Sequence, residues 1–159
     1  MLIKYNLETG DALYENLPKA GYGNQTPYQL SAFTDIDFAI DEEGLWVSVF
    51  LITTFKYKIK MKVIYSTFEN TMDIVVSKLN ADTLEVEATY RTNWRKKWSG
   101  NAFMACGVLY VLKKCDLKNT YLNYAYDTHT KQWHHIQVRL IKCYVIKIHL
   151  RFNFRYLLN

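Results

Sequence analysis

The sequence predicts an all-β fold of short antiparallel strands. Three observations carry that reading. Aromatic residues make up 16% of the 159-residue chain, with 13 Tyr, and aromatic and β-branched side chains favour the pleated, half-buried surface of a strand. Short apolar runs alternate with turn chemistry along the whole sequence. Finally, no stretch has the apolar spacing of a long amphipathic helix.

In chain order, LIKYNL stands before ETGD, DIDFAI before DEEG, and DIVVSKL before NADT. TLEVEATY, GVLYVL before KKCDLKN, and YLNYAY before DTHTK complete the series. Two internal repeats run through these elements. The first is a turn of the form Asx-x-x-Thr: Asn6 and Thr9, Asn80 and Thr83, Asp127 and Thr130. An Asx side chain that bonds the backbone ahead of it suits a hairpin turn. The second joins an Asx residue to a glycine and an apolar strand: Asp37 to Gly44, then LWV, and Asn101 to Gly107, then VLYV. A unit of about 40–50 residues built from short antiparallel strands is the period of propeller blades.

Charge divides the chain. The formal net charge is +5, but residues 47–62 hold four Lys and no acid, and residues 138–159 hold five Lys or Arg and no acid. The rest, 1–46 and 63–137, carries 11 basic and 15 acidic residues. The body is acidic, and the two basic blocks are compositionally foreign to it. This argues against nucleic acid as the partner of the body, although a small basic intracellular protein that holds acidic partners remains the alternative reading. No apolar run has the ~18 residues of a membrane span, and Met1 to Gly10 lack the apolar core of a secretory leader.

TDIDFAID, EEGLWV, IYST and GNAFMACGVLYV resemble an olfactomedin domain. IKYNLETG, AGYGNQTPYQLSAFTDIDFA, VVSKLNADTLEVEATYRTNWRK and YLNYAYDTHT fit the same family in the same order. The resemblance implies a five-bladed β-propeller, of which this chain holds two to three blades. It also implies an extracellular, non-enzymatic module with a central calcium ion, acting in adhesion, matrix organisation or receptor signalling through a protein partner or cell-surface receptor. Residues 1–137 are then a partial olfactomedin domain interrupted by 47–62. In the family GLWV runs directly into IYST, and joining Trp46 to Val63 restores that motif. Both basic blocks are rich in Lys, Ile, Phe, Tyr, Leu and Asn, as translated introns would be, so 47–62 reads as an intron-derived insert and 138–159 as an intron-derived tail.

The same resemblance carries calcium ligation onto the Asp37 and Asn101 side chains and the Ala102 carbonyl, with further ligands expected beyond this sequence. Calcium takes six to eight oxygens, so the chain is expected to supply an incomplete site. Cys106 matches a family disulfide cysteine whose partner this sequence lacks, and Cys115 and Cys143 have no counterpart. Asn24-Gln25-Thr26 is a glycosylation sequon in a Gly- and Pro-flanked loop.

Other candidates give bland readings. His129, His134 and His135 match no zinc-ligand spacing, and no phosphate loop or nucleophile elbow is present, so an enzyme is not expected. Arg95-Lys96-Lys97 between Trp94 and Trp98 reads as an exposed loop. The Lys56, Lys58, Lys60, Lys62 ladder reads as a strand with a cationic edge. Three blades cannot close a ring of the four to eight that propellers use, so the chain alone is expected to aggregate or stay partly unfolded.

Overall fold

The computed structural model describes residues 1–20, 28, 36–40, 60–67, 72–114 and 120–140. Among them, β1 (Leu2–Tyr5) and β2 (Ala12–Glu15) form a hairpin. A four-stranded sheet follows in the order β3 (Asp37–Ile40), β4 (Lys60–Ser66), β5 (Asp73–Asn80), β6 (Val86–Arg95). The other four-stranded sheet runs β7 (Asn101–Ala105), β8 (Val108–Lys114), β9 (Thr120–Asp127), β10 (Trp133–Leu140). All pairings are antiparallel between neighbours in sequence. The all-β expectation holds.

The Asx-x-x-Thr repeat is one turn used three times. Asn6 Oδ1 accepts the N–H groups of Glu8 and Thr9 at 2.9 and 3.3 Å. Asn80 Oδ1 accepts those of Asp82 and Thr83 at 2.9 and 3.2 Å. Asp127 Oδ1 accepts those of His129 and Thr130 at 2.7 and 3.4 Å. The His129 N–H contributes most to holding the Asp127 carboxyl below its usual range. Each turn ends in a left-handed residue four positions after the Asx: Gly10 (φ 79°), Leu84 (φ 65°) and Lys131 (φ 59°). These turns join β1 to β2, β5 to β6 and β9 to β10, so the first hairpin corresponds to the last two strands of each four-stranded sheet.

Side-chain alternation gives each large sheet two apolar faces. Val63, Tyr65, Val75 and Leu79 pack with Leu2 and Leu17 against the first hairpin. Ile64, Ile74 and Val76 point the other way and meet Ala102, Met104, Leu109, Val111, Tyr124 and Tyr126 of the second sheet. The far face of the second sheet gathers Leu112, Leu122, Phe103, Tyr110, Ile136 and Leu140. Sheets therefore stack face on face.

Two expectations need correction. Arg95–Trp98 is not simply an exposed loop: Lys96–Trp98 form a 3-10 turn that buries Lys96 completely. The Lys96 N–H bonds the Met72 carbonyl at 3.1 Å, and its ammonium lies 4.5 Å from the Tyr28 ring centre. The lysine ladder is not an edge. Lys60 and Lys62 lie in β4, between β3 and β5, and Lys62 is only 2% exposed. Lys56 and Lys58 lie outside the described residues.

Candidate functional site

Asp37 and Asn101 each open the first strand of a four-stranded sheet, β3 and β7. They also share a local geometry. Asp37 Oδ1 accepts the N–H of Phe38 at 2.9 Å, and Asn101 Oδ1 accepts the N–H of Ala102 at 2.9 Å. The Asx ends of the second sequence repeat thus share one local structure, the same strand start with the same side-chain bond; Gly44 and residues 45–47 lie outside the described residues. β3 and β7 pack against one another, and Ala39 and Ala102 share one core cluster. Small side chains at these two positions allow the strands to approach.

The seam is buried and polar. Ala102 and Asn101 are buried and Asp37 is half-buried. Tyr28 lies in the adjoining core, its hydroxyl buried with no hydrogen-bond partner. Burial, followed by the nearby Asp37 carboxylate, pushes the Tyr28 hydroxyl well above its ordinary value, because both oppose a phenolate.

The donors that the sequence proposed for a cation are all oxygens: the Asp37 carboxylate, the Asn101 amide and the Ala102 carbonyl. That chemistry suits a hard cation such as calcium, and three donors are half of its smallest shell. The unpartnered Tyr28 oxygen shows that the surrounding core tolerates a polar group held for want of a partner. Among the described residues no group of three His, Cys, Asp or Glu converges on one point.

The remaining candidates are dispersed. Cys106 is exposed at the β7–β8 turn, where Cys106 (φ 48°) and Gly107 (φ 76°) make the two left-handed positions of a two-residue hairpin. A Cβ at Gly107 would collide with the His129 ring. Thr128 closes the turn, its N–H and hydroxyl both donating to the Gly107 carbonyl at 3.0 and 2.7 Å. His129 sits in the β9–β10 turn and His134 and His135 are neighbours on β10, so the strand sends their rings to opposite faces. Asn24, Cys115 and Cys143 lie outside the described residues. Sequence reasoning missed Tyr28 and Lys96, because an isolated Tyr and a Lys within a basic run carry no signal of burial.

What the fold and seam define is a chain of stacked antiparallel sheets, repeated along the sequence, with a polar line where their first strands meet. Residues 1–55 and 60–156 match the family described as olfactomedin-like domain, the interruption at 56–59 falling inside the lysine-rich block. Myocilin of Rattus norvegicus and myocilin of Homo sapiens are each 42% identical over 130 residues, 81% of this chain and 23% of the relative. Olfactomedin-4 of Homo sapiens is 40% identical over 130 residues, 81% of this chain and 22% of the relative. This chain belongs to the olfactomedin-like domain family. It spans about a quarter of the length of these curated relatives.

Proposed function

We propose that the chain is part of an extracellular olfactomedin module that works by binding proteins, in adhesion, matrix organisation or receptor signalling, and not by catalysis. The carrying observation is the structural repeat: two four-stranded sheets and a matching hairpin, stacked face on face, with Asp37 and Asn101 in equivalent places. Under this reading the sheets are two blades of a five-bladed propeller and the hairpin is the outer half of a third. Asp37, Asn101 and the Ala102 carbonyl hold part of a calcium shell, and the ion supplies positive charge that ties neighbouring inner strands together. We read 47–62 and 138–159 as an insert in and a tail to the working domain, although the family match itself runs into both, over 47–55, 60–62 and 138–156. Glycosylation at Asn24 and a disulfide at Cys106 fit the same extracellular setting.

The test is surface binding. The chain lacking 47–62, expressed behind a secretion leader, should reach the medium and bind cells saturably, and trypsin treatment of those cells should abolish that binding, whereas the full chain should be retained as aggregate. Binding instead to anionic polymers, falling steeply as salt rises, would replace this reading with that of a basic intracellular protein.

A further inference from the structure

At 10 residues β6 is a long strand, and it ends its sheet. Among the described residues nothing pairs with its outer edge. No proline or glycine interrupts it, and half-buried Val86, Ala88 and Tyr90 alternate with exposed Glu87, Thr89 and Arg91. Such an edge offers a row of main-chain N–H and C=O groups to another strand.

Its charge is uneven. Residues 88–115 contain no Asp or Glu, and Arg91, Arg95, Lys96 and Lys97 are four of the 11 basic residues of 1–46 and 63–137. Lys96 is buried against Tyr28 and takes no part. The other three stay at the surface. Arg91 and Lys97 are exposed, and Arg95 is half-buried with its guanidinium 5.0 Å from the centre of the Trp98 ring. Trp98 is itself 50% exposed. Among the described residues no carboxylate forms an ion pair with any of the three.

That pattern selects a partner. A strand advances about 3.3 Å per residue, so Arg91 and Arg95 stand up to about 13 Å apart. Cations strung along a strand in this way do not converge on one small anion; they suit an extended chain. Glu87 is the one acid in β6 and is paired with Lys78. A second copy of the strand would therefore bring two arginines and no uncommitted carboxylate, whereas an acidic strand offsets the cations directly. Tyr90 lies on the opposite face from Arg91 and offers an apolar contact to the residues between the acids.

We propose that the outer edge of β6 takes up an extended acidic segment of a partner protein as an added strand. The segment's main chain bonds the edge, and its alternate carboxylates pair with Arg91, Arg95 and Lys97. The edge gives a surface to the protein binding proposed above and rests on that reading, but it draws on neither the seam nor the two basic blocks.

Surface-plasmon binding tests it, with the full chain and the chain lacking 47–62 each tethered at low density and an alternating Val-Glu decapeptide as probe. The controls are a Val-Lys decapeptide, the Val-Glu peptide N-methylated at alternate residues, and a heparin oligosaccharide. Saturable binding of the Val-Glu peptide to both chains is expected, with the Val-Lys and N-methylated peptides about tenfold weaker or more. Arg91→Glu and Lys97→Glu, both at exposed positions, should each weaken Val-Glu binding about tenfold and leave the urea midpoint unchanged. Binding indifferent to both substitutions would place the peptide on the basic blocks and overturn the proposal. Equal binding of the N-methylated peptide would remove the added strand, and heparin binding without Val-Glu binding would make the patch a sulfated-glycan contact. Self-association abolished by Arg91→Glu would give the edge to a second copy. Each of these overturns the proposal, as does the absence of saturable binding up to about 1 mM. If peptide binding fails while trypsin-sensitive cell binding persists, this edge is rejected and the reading of the module as a protein binder stands.

Discussion

Deleting residues 47–62 is expected to stabilise the chain, and the β3–β4 register sets the amount. Asp37, Phe38, Ala39 and Ile40 pair with Ile64, Val63, Lys62 and Met61. In the full chain residues 41–60 separate Ile40 from Met61. With 47–62 removed, Leu45 and Trp46 take the places of Met61 and Lys62 without disturbing the register, and only Asp41–Gly44 connect the strands. Shortening a connection from about 20 residues to about 4 gains about 1.4 kcal/mol in loop entropy. The second gain is at position 62. Lys62 is buried and pairs across the sheet with Lys78, and like charges set opposite one another destabilise a sheet. Its side of β4 is that of Ile64, facing the second sheet. An indole there buries large apolar area, worth about 2 kcal/mol. Together the gain is about 3 kcal/mol. Urea unfolding of both proteins, followed by far-UV circular dichroism and linear extrapolation, measures it. An equal or lower stability for the shortened chain would refute the claim that β3 and β4 were built to be joined by the Asp-Glu-Glu-Gly turn.

The repeated turn gives opposite expectations at equivalent positions: Gly10→Ala should cost about 1 kcal/mol and Lys131→Gly should gain about 1 kcal/mol, read as shifts in urea midpoint; shifts of the same sign would show that backbone strain is not what distinguishes them. Tyr28 and Tyr124 are both raised by burial, Tyr124 to about 12. The folded state therefore holds these protons more tightly than the unfolded state, and stability present below about pH 10 should be lost as the pH rises from there toward 12. Tyr28→Phe should flatten that loss in a pH series of urea midpoints, whereas an unchanged slope would remove Tyr28 from the account. In the chain lacking 47–62, calcium should raise the melting temperature and Asp37→Asn should abolish the rise; a calcium response that survives the substitution would move the ion elsewhere. The full chain should also self-associate with rising concentration in sedimentation velocity, because Ile3, Tyr5, Leu13 and Tyr14 of the first hairpin and Trp133 and Val138 of β10 are exposed; a purified monomer with a sharp cooperative melt would contradict this.

Much of the fold was legible because local chemistry decides it. The Asx-x-x-Thr turns need only side-chain bonds within three residues and one left-handed backbone position, so the sequence marks them directly. Asp37 and Asn101 were legible for a related reason: each opens a strand and bonds the next N–H, an environment that repeats with the sheet. Burial of charged residues was not legible. Lys62 and Lys96 look solvated in any window of sequence, and only strand order and the 3-10 turn reveal that one is interior to a sheet and the other sits against Tyr28. The bulges at Lys113, Asn123 and Ile136–Gln137 were equally hidden, since a one-residue slip between strands separated in sequence leaves no trace in composition or period.

The architecture also limits what a cation at the inner strands could report. A sheet with two apolar faces is stable only between neighbours, so the inner strands, buried on both sides, can offer little except oxygens at their starts. One sheet supplies one such strand start, Asp37 or Asn101. No single sheet can complete a shell of six or more oxygens, so a cation placed there reads out how many sheets have assembled around it. The outer strands have the opposite freedom. β10 is exposed along most of its length, so substitutions there disturb the packed sheets least.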